Sequence, residues 1–262
     1  MKQFDALKIK NIAFAGHAGS GKTSLAEALL FKAGMTDRLG KIAEGNTVCD
    51  FDTEEIKRKA SLNTALAYFE YDDMKVNIID TPGLFDFAAG MYEGIAACGT
   101  AIITVSGKSG VKVGTEKAYA CAVANKKSRM FVVTKLDEDN ADFYKVLAEL
   151  KAAFGPSVCP IVVPTIRDGK IVSYINLIEM KAYTYDAKGN AVETEMPESE
   201  YRLDGLVAAV SEAVAEADEE LFEKYFSGEQ FTQKELIKGI HKGMNEGKIT
   251  PVTCVSSITL AG

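Results

Sequence analysis

Gly16 to Thr23 reads GHAGSGKT, in which two glycines separated by four residues are followed by Lys22 and Thr23. A loop of that pattern presents successive backbone N–H groups to a phosphate at the start of a helix, whose dipole favours the same negative charge. Gly16 and Gly21 let the backbone come close. The Lys22 ammonium can reach β- and γ-phosphate oxygens, and the Thr23 hydroxyl can hold a Mg²⁺ that bridges them. The loop thus predicts a phosphate-contacting run of His17, Ala18, Gly19, Ser20, Gly21, Lys22, Thr23 and Ser24.

A second group is Asp80-Thr81-Pro82-Gly83. A carboxylate at Asp80 can hold Mg²⁺, usually through water, while the Gly83 amide can bond a γ-phosphate that exists only before hydrolysis. Lys22, Thr23 and Gly83 are the expected catalytic set, with Thr23 and Asp80 on the metal. The third group is Thr134-Lys135-Leu136-Asp137. The Asp137 carboxylate can accept from both the ring N–H and the exocyclic amine of guanine, a pair that adenine does not offer. A buried carboxylate left unpaired against the wrong base is costly, so Asp137 would select the base and the Lys135 stem would lie along its face.

These groups need elements to hold them. NIAFAG reads as a buried strand before the loop, and SLAEALLFKAG as a helix after it, with Leu25, Leu29 and Leu30 on one face and Gly34 as its stop. Residues 10–155 alternate apolar runs with helical patterns, the rhythm of a doubly wound sheet. Strands are expected at Thr64–Tyr71, Val76–Asp80, Ala101–Ser106 and Met130–Thr134, with a turn at Asp72-Asp73. Helices are expected at Met91–Cys98, Thr115–Asn125 and Asp142–Ala153. Asp80 and Thr134 then fall at strand carboxyl ends, where open α/β sheets bind ligands. Gly34 to Asn63 is too long and irregular for an ordinary connection and reads as a functional or mobile loop.

From Val158 the rhythm changes. Short strands at Ile161–Val163, Ile171–Ile178 and Ala182–Tyr185 alternate with turns at residues 167–170 and 186–190. Two helical stripes follow, one through Leu203, Leu206, Val207, Val210, Val214 and Ala217, the other through Leu236, Ile237, Ile240 and Met244. They are expected to pack against the small sheet. Pro251–Ser256 returns to strand-like residues. The predicted division is 1–157, an insertion at 158–248, and a return to the first domain at 249–262.

Composition narrows the class. A hydrophobic fraction of 47% with 26% charged residues is that of a soluble globular chain. The five cysteines are scattered, without a CxxC pair, which predicts reduced thiols in a cytoplasmic setting rather than disulfides or a zinc site. No apolar run approaches bilayer length and the first residues lack an apolar leader core, so no membrane partner is expected. A net charge of −7 disfavours general attraction to nucleic acid, and no sequence-specific DNA binding is expected. The basic runs at residues 57–59 and 126–129 read as solvated surface.

Together these motifs resemble translational GTPases, and specifically the nucleotide-binding domain of elongation factor G. GHAGSGKT resembles that family's first motif, DTPG its third and TKLD its NKxD base motif. Val252 to Ser257 resembles the strand and loop that close over the guanine O6, which implies Ser256 and Ser257 at the base. IEMKAY (178–183) and EADEELFEKYFSG (216–228) resemble the insertion peculiar to elongation factor G. The resemblance implies a P-loop NTPase-type α/β fold, a doubly wound and mostly parallel sheet with an α+β insertion subdomain. It also implies GTP/GDP and Mg²⁺ as ligands, a monomer, and the ribosome as partner of a longer protein, since the chain ends at residues 256–262 where the family would continue. Arg58-Lys59-Ala60-Ser61 falls where the family has RGIT, implying Ser61 as a second hydroxyl on Mg²⁺.

The departures are as informative. Leu84 stands where the family has a water-positioning His, Gly19 where it has Asp, and Ala18 and Ala60 where larger apolar side chains screen the water. Thr134 replaces the Asn of NKxD. This pattern is similar to the divergent second paralogue of elongation factor G found in some bacteria. It predicts GTP binding with slow intrinsic hydrolysis. A GTP-sensing binding module with little turnover is the alternative, and an ATP-using enzyme would require setting Asp137 aside.

Overall fold

The computed structural model describes residues 3–167, 170–197 and 201–262; Asp168 and Gly169, in one of the expected turns, lie outside the described residues. Strand β1 (Ile9–Gly16) enters the core at its second half. Alternate side chains there point to opposite faces, Ala13 and Ala15 toward one apolar cluster and Phe14 toward the other, so the sheet must be covered on both sides. Helix α1 (Lys22–Lys32) follows, packing Leu25, Ala26 and Leu30 over Phe14.

A long loop carries the short α2 (Thr53–Arg58), closed by a capping box between Asp52 and Glu55. Strands β2 (Ala65–Tyr71) and β3 (Met74–Asp80) form a hairpin. Its turn puts Asp72 and Asp73 at φ 47° and 56°, the left-handed pair that a two-residue hairpin requires. Then come α3 (Ala88–Ala97), β4 (Thr100–Ser106), α4 (Val113–Ala124), β5 (Ser128–Thr134) and α5 (Phe143–Phe154).

Beyond these lie β6 (Val158–Pro160), β7 (Val162–Arg167), β8 (Lys170–Asn176), β9 (Lys181–Tyr185) and β10 (Ala191–Thr194). Helices α6 (Tyr201–Ala217), α7 (Glu219–Phe226) and α8 (Gln233–Asn245) precede the last strand, β11 (Thr250–Cys254).

The main sheet has the order β2-β3-β1-β4-β5-β11-β6, parallel throughout except for β2. The second sheet is antiparallel, ordered β10-β9-β8-β7. The fold is therefore α/β with a mostly parallel central sheet and a separate antiparallel sheet, as the sequence predicts.

Two local features differ from expectation. Val158–Pro160 is a strand of the main sheet, paired with β11, and the chain passes to the second sheet at Ile161, whose N–H donates to Val252 O (2.8 Å) while its carbonyl accepts from Leu177 N (2.9 Å). A three-residue strand ending in proline gives no alternation to read. The apolar stripes of α6 and α8 meet each other and β5, β6 and β11 of the main sheet, in a cluster that also takes in small-sheet residues such as Tyr174 and Ile175, so the small sheet is not their sole partner. Val210, Val214 and Ile240 share one cluster with Val158, Cys159 and Val252. The helical spacing shows that a face is buried and leaves its partner open.

Candidate functional site

Four carboxyl ends of the main sheet converge: Gly16 of β1, Asp80 of β3, Thr134 of β5 and Cys254 of β11. The loop between Gly16 and Lys22 is tightly determined. Gly16 sits at φ 136°, and a Cβ there would lie 2.6 Å from Thr104 O, so no side chain fits. Gly21, at φ 88°, is the N-cap of α1 and brings no capping side chain, leaving the first amides of the helix for another acceptor. Ser20 is held from two sides. Its hydroxyl pairs with Thr104 Oγ1 at 2.6 Å, and its carbonyl accepts from Thr134 Oγ1 at 2.6 Å.

The Lys22 ammonium curls back over the loop, donating to Gly16 O (3.2 Å) and His17 O (3.1 Å). Burial pulls its pKa down to about 8, a fall that Asp80 and Asp50 partly oppose. Thr23 Oγ1 donates to Asp80 Oδ2 at 2.7 Å and lies 3.1 Å from Ser61 Oγ. The three residues assigned to Mg²⁺ thus meet although they are far apart in sequence. Asp80 is 1% exposed, its Oδ1 has no hydrogen-bond partner, and burial raises its pKa to about 7 against the pull of the Thr23 hydroxyl and Lys22.

Asp50, which sequence reading missed, lines the same pocket together with Ala18, Gly19, Lys22, Thr23 and Ser61. It too is buried, without a well-formed hydrogen bond on either oxygen. Its pKa is raised by burial, with the nearby Ser61 hydroxyl partly opposing. Buried hydroxyls beside unpartnered carboxylate oxygens are the hard oxygen donors that Mg²⁺ takes, so the residues present fit that ion. Asp50 offered no motif; its place in a loop too long for a connection was the only signal.

Gly83 closes the pocket from the far side. A Cβ at this position would come within 2.5 Å of Lys22 Nζ and 2.7 Å of Ala18 N, so the DTPG segment lies directly on the phosphate loop. Leu84 and Ala60 line the pocket as well, and neither side chain can donate or accept a hydrogen bond. His17 lies at the edge, its ring 5.7 Å from that of Phe85. Burial, then Lys22 and Lys112, hold its pKa below the usual histidine range. Ala18 and Gly19 belong to the pocket wall, and Ser24 is half-buried in the first turn of α1.

At the other end Ser256 Oγ donates to Asp137 Oδ1 at 2.6 Å, joining the TKLD segment to the loop after β11. Ser256 and Ser257 are buried. Lys135, at φ 59°, sends its ammonium to Glu138 Oε1 at 3.0 Å. Asp137 itself is exposed, which corrects the expectation of a buried carboxylate. The buried Thr134 hydroxyl ties β5 to the phosphate loop by donating to Ser20 O.

Among the described residues no helix is long and apolar enough to cross a membrane. The profile of the elongation factor Tu GTP binding domain matches residues 7–262. Two curated relatives are both called elongation factor G-like protein. That of Mycobacterium tuberculosis (strain CDC 1551 / Oshkosh) is 34% identical over 256 residues, 97% of this chain and 35% of that protein. That of Thermotoga maritima is 34% identical over 251 residues, 95% of this chain and 35% of that protein. A crystal structure of a protein from Thermus thermophilus superposes with a TM-score of 0.91 at 38% identity, covering 97% of this chain and 38% of that one. The chain therefore spans about a third of the length of these relatives. A sheet whose carboxyl edge gathers the GHAGSGKT loop, a hydroxyl–carboxylate pocket and a hydrogen-bonded Asp137–Ser256 pair agrees with that match, and the chain belongs to the family of elongation factor Tu GTP binding domains.

Proposed function

We propose that this GTPase domain binds GTP and GDP with Mg²⁺ at the carboxyl edge of its main sheet and hydrolyses GTP slowly. We assign it to a ribosome-associated, elongation factor G-like translation factor, acting in translocation or a related step. The observation that carries the reading is the meeting of Thr23, Ser61 and Asp80 beside Lys22 and Gly83 in one pocket. Backbone amides of residues 17–23 and the Lys22 ammonium would hold the phosphates. Thr23, Ser61 and Asp80 would hold Mg²⁺, which neutralises charge on the β- and γ-phosphate oxygens when bound. Asp137, the Lys135 stem, Ser256 and Ser257 would take the guanine. Residues 158–248 would act as an inserted subdomain carried by the nucleotide-binding sheet, and the domain would work as a cytoplasmic monomer.

Slow hydrolysis follows from Leu84. The side chain after Gly83 stands at the pocket wall and has no atom that can orient a water molecule. Leu84→His should raise single-turnover phosphate release by about a hundredfold, the lower end of what a positioned proton-accepting group contributes. Wild-type turnover already equal to that variant's would overturn the slow-hydrolysis reading.

The same feature favours a second reading, a GTP-sensing module that engages a partner when GTP is bound and scarcely turns it over. Calorimetric titration with GTP, GDP and ATP tests nucleotide choice. Co-sedimentation of the longer protein with ribosomes in each nucleotide state, read beside the phosphate-release rate, separates the two. Failure to bind guanine nucleotides saturably would overturn both.

A further inference from the structure

Two buried glutamates stand outside all the motifs. Glu27 lies on α1 one turn beyond Thr23 and is 1% exposed; Glu55 lies on α2 and is 2% exposed. An ionised carboxylate is seldom placed so deep unless something pairs with it. Here the partners are backbone amides of the long loop between α1 and β2.

Glu27 Oε1 accepts from Val48 N. Gly40 is held so close that a Cβ there would lie 2.2 Å from Glu27 Oε2, so the loop is pressed onto the carboxylate. Glu55 gathers the loop's second half. Its Oε1 accepts from Leu62 N (2.9 Å) and Asn63 N (3.0 Å), and its Oε2 accepts from Asp52 N (3.2 Å).

The amides so held flank the loop's two pocket residues. Val48 N lies two residues before Asp50, and Leu62 N directly follows Ser61. Asp50 lines the pocket, and Ser61 Oγ lies 3.1 Å from Thr23 Oγ1. Val48 and Phe51 are exposed, and the loop's own apolar anchor beside Asp50 is Cys49, packed into the cluster of Phe14 and Leu25.

We propose that Glu27 and Glu55 are positioning residues, two carboxylate clasps that deliver Asp50 and Ser61 to the Thr23–Asp80 pair. The inference rests on the Mg²⁺-dependent nucleotide site proposed above. It adds that the loop's metal-facing geometry is fixed from α1 and α2 through these amides. Ser61 can then serve the metal without help from its own neighbours, and the loop can be released by breaking charge-assisted hydrogen bonds, which are stronger than neutral ones.

The test uses Glu55→Gln and Glu27→Gln, with Glu54→Gln as control because the Glu54 carboxylate is exposed and pairs with the surface cations Lys57 and Arg58. Release of a fluorescent GDP analogue is followed by stopped flow in excess Mg²⁺ and again in EDTA. Each clasp variant should release about tenfold faster in Mg²⁺, as expected for one weakened charge-assisted bond, and at the wild-type rate in EDTA. In nucleotide-free protein, hydrogen exchange should quicken at Leu62 and Asn63 in Glu55→Gln, and at Val48 in Glu27→Gln, while β4 and β5 keep their protection. Equal acceleration with and without Mg²⁺, no acceleration, or unchanged exchange at those amides would overturn the proposal. A wild-type protein that binds no guanine nucleotide would remove the underlying reading instead, and leaves a different signature because the exchange measurement needs no ligand.

Discussion

At the scale of single residues, the site divides into groups that touch a ligand and groups that hold the loop. Thr134 belongs to the second kind. Its hydroxyl is buried and donates to Ser20 O, so Thr134→Val should leave that carbonyl unsatisfied and cost about 1–3 kcal/mol, visible as a lower Tm and a higher Kd for GDP. Under the proposed function Asp137 belongs to the first kind. Because it is exposed, Asp137→Asn should leave the Tm within a degree or so yet weaken GTP binding on the order of a hundredfold, erasing any preference over ATP in calorimetry. These residues were legible in unequal degree. Lys22, Thr23, Asp80 and Asp137 announce themselves because phosphate, metal and base chemistry demand particular side chains at particular offsets. Asp50, Glu27 and Glu55 do not. They act across a loop that no periodicity describes, and a carboxylate in such a stretch looks like any solvated surface residue until the fold buries it.

At the scale of elements, α7 and α8 form a unit fixed at its ends by charge. Thr232 and Glu235 make a reciprocal cap at the start of α8, and Lys224 of α7 donates to both Glu235 oxygens at 2.8 and 2.9 Å. These bonds, Lys224 first and the Thr232 amide and hydroxyl after it, lower the Glu235 pKa from 4.5 to about 2. A carboxyl whose folded pKa is depressed stabilises the fold above its unfolded pKa and loses that contribution as the pH falls toward the folded value. The window is therefore pH 4.5 down to about 2. Exchange of the first α8 amides should accelerate across that range, and Glu235→Gln should flatten the response. The element types were readable for the same local reasons, since caps such as Thr232–Glu235 and Asp142 carry a sequence signature. Partners were not: amphipathic spacing shows that α6 and α8 bury a face, and only the assembled fold shows that they share it with each other and with β5, β6 and β11.

At the scale of the whole molecule, the main sheet and the helices on its α4–α5 side share a single apolar cluster running into the antiparallel sheet. Phe131 lies at its centre, fully buried, with Tyr119 and Phe154 rings at 5.7 and 5.0 Å. Phe131→Ala should cost about 3–5 kcal/mol, a large share of the roughly 5–15 kcal/mol typical of a domain. Denaturant midpoints should fall for both sheets together, because one cluster joins them. The order of the strands has a temporal consequence. β11 belongs between β5 and β6, yet the whole run from β7 to α8 separates it from β6 along the chain. A nascent polypeptide emerging N-terminus first must keep a gap open between two neighbours while that run is made. The last strand then slides in as a keystone, and only at that moment does Ser256 reach Asp137. The Asp137 end of the cleft should thus assemble after the strands that flank it, since insertion of a central strand is a slow and non-local event.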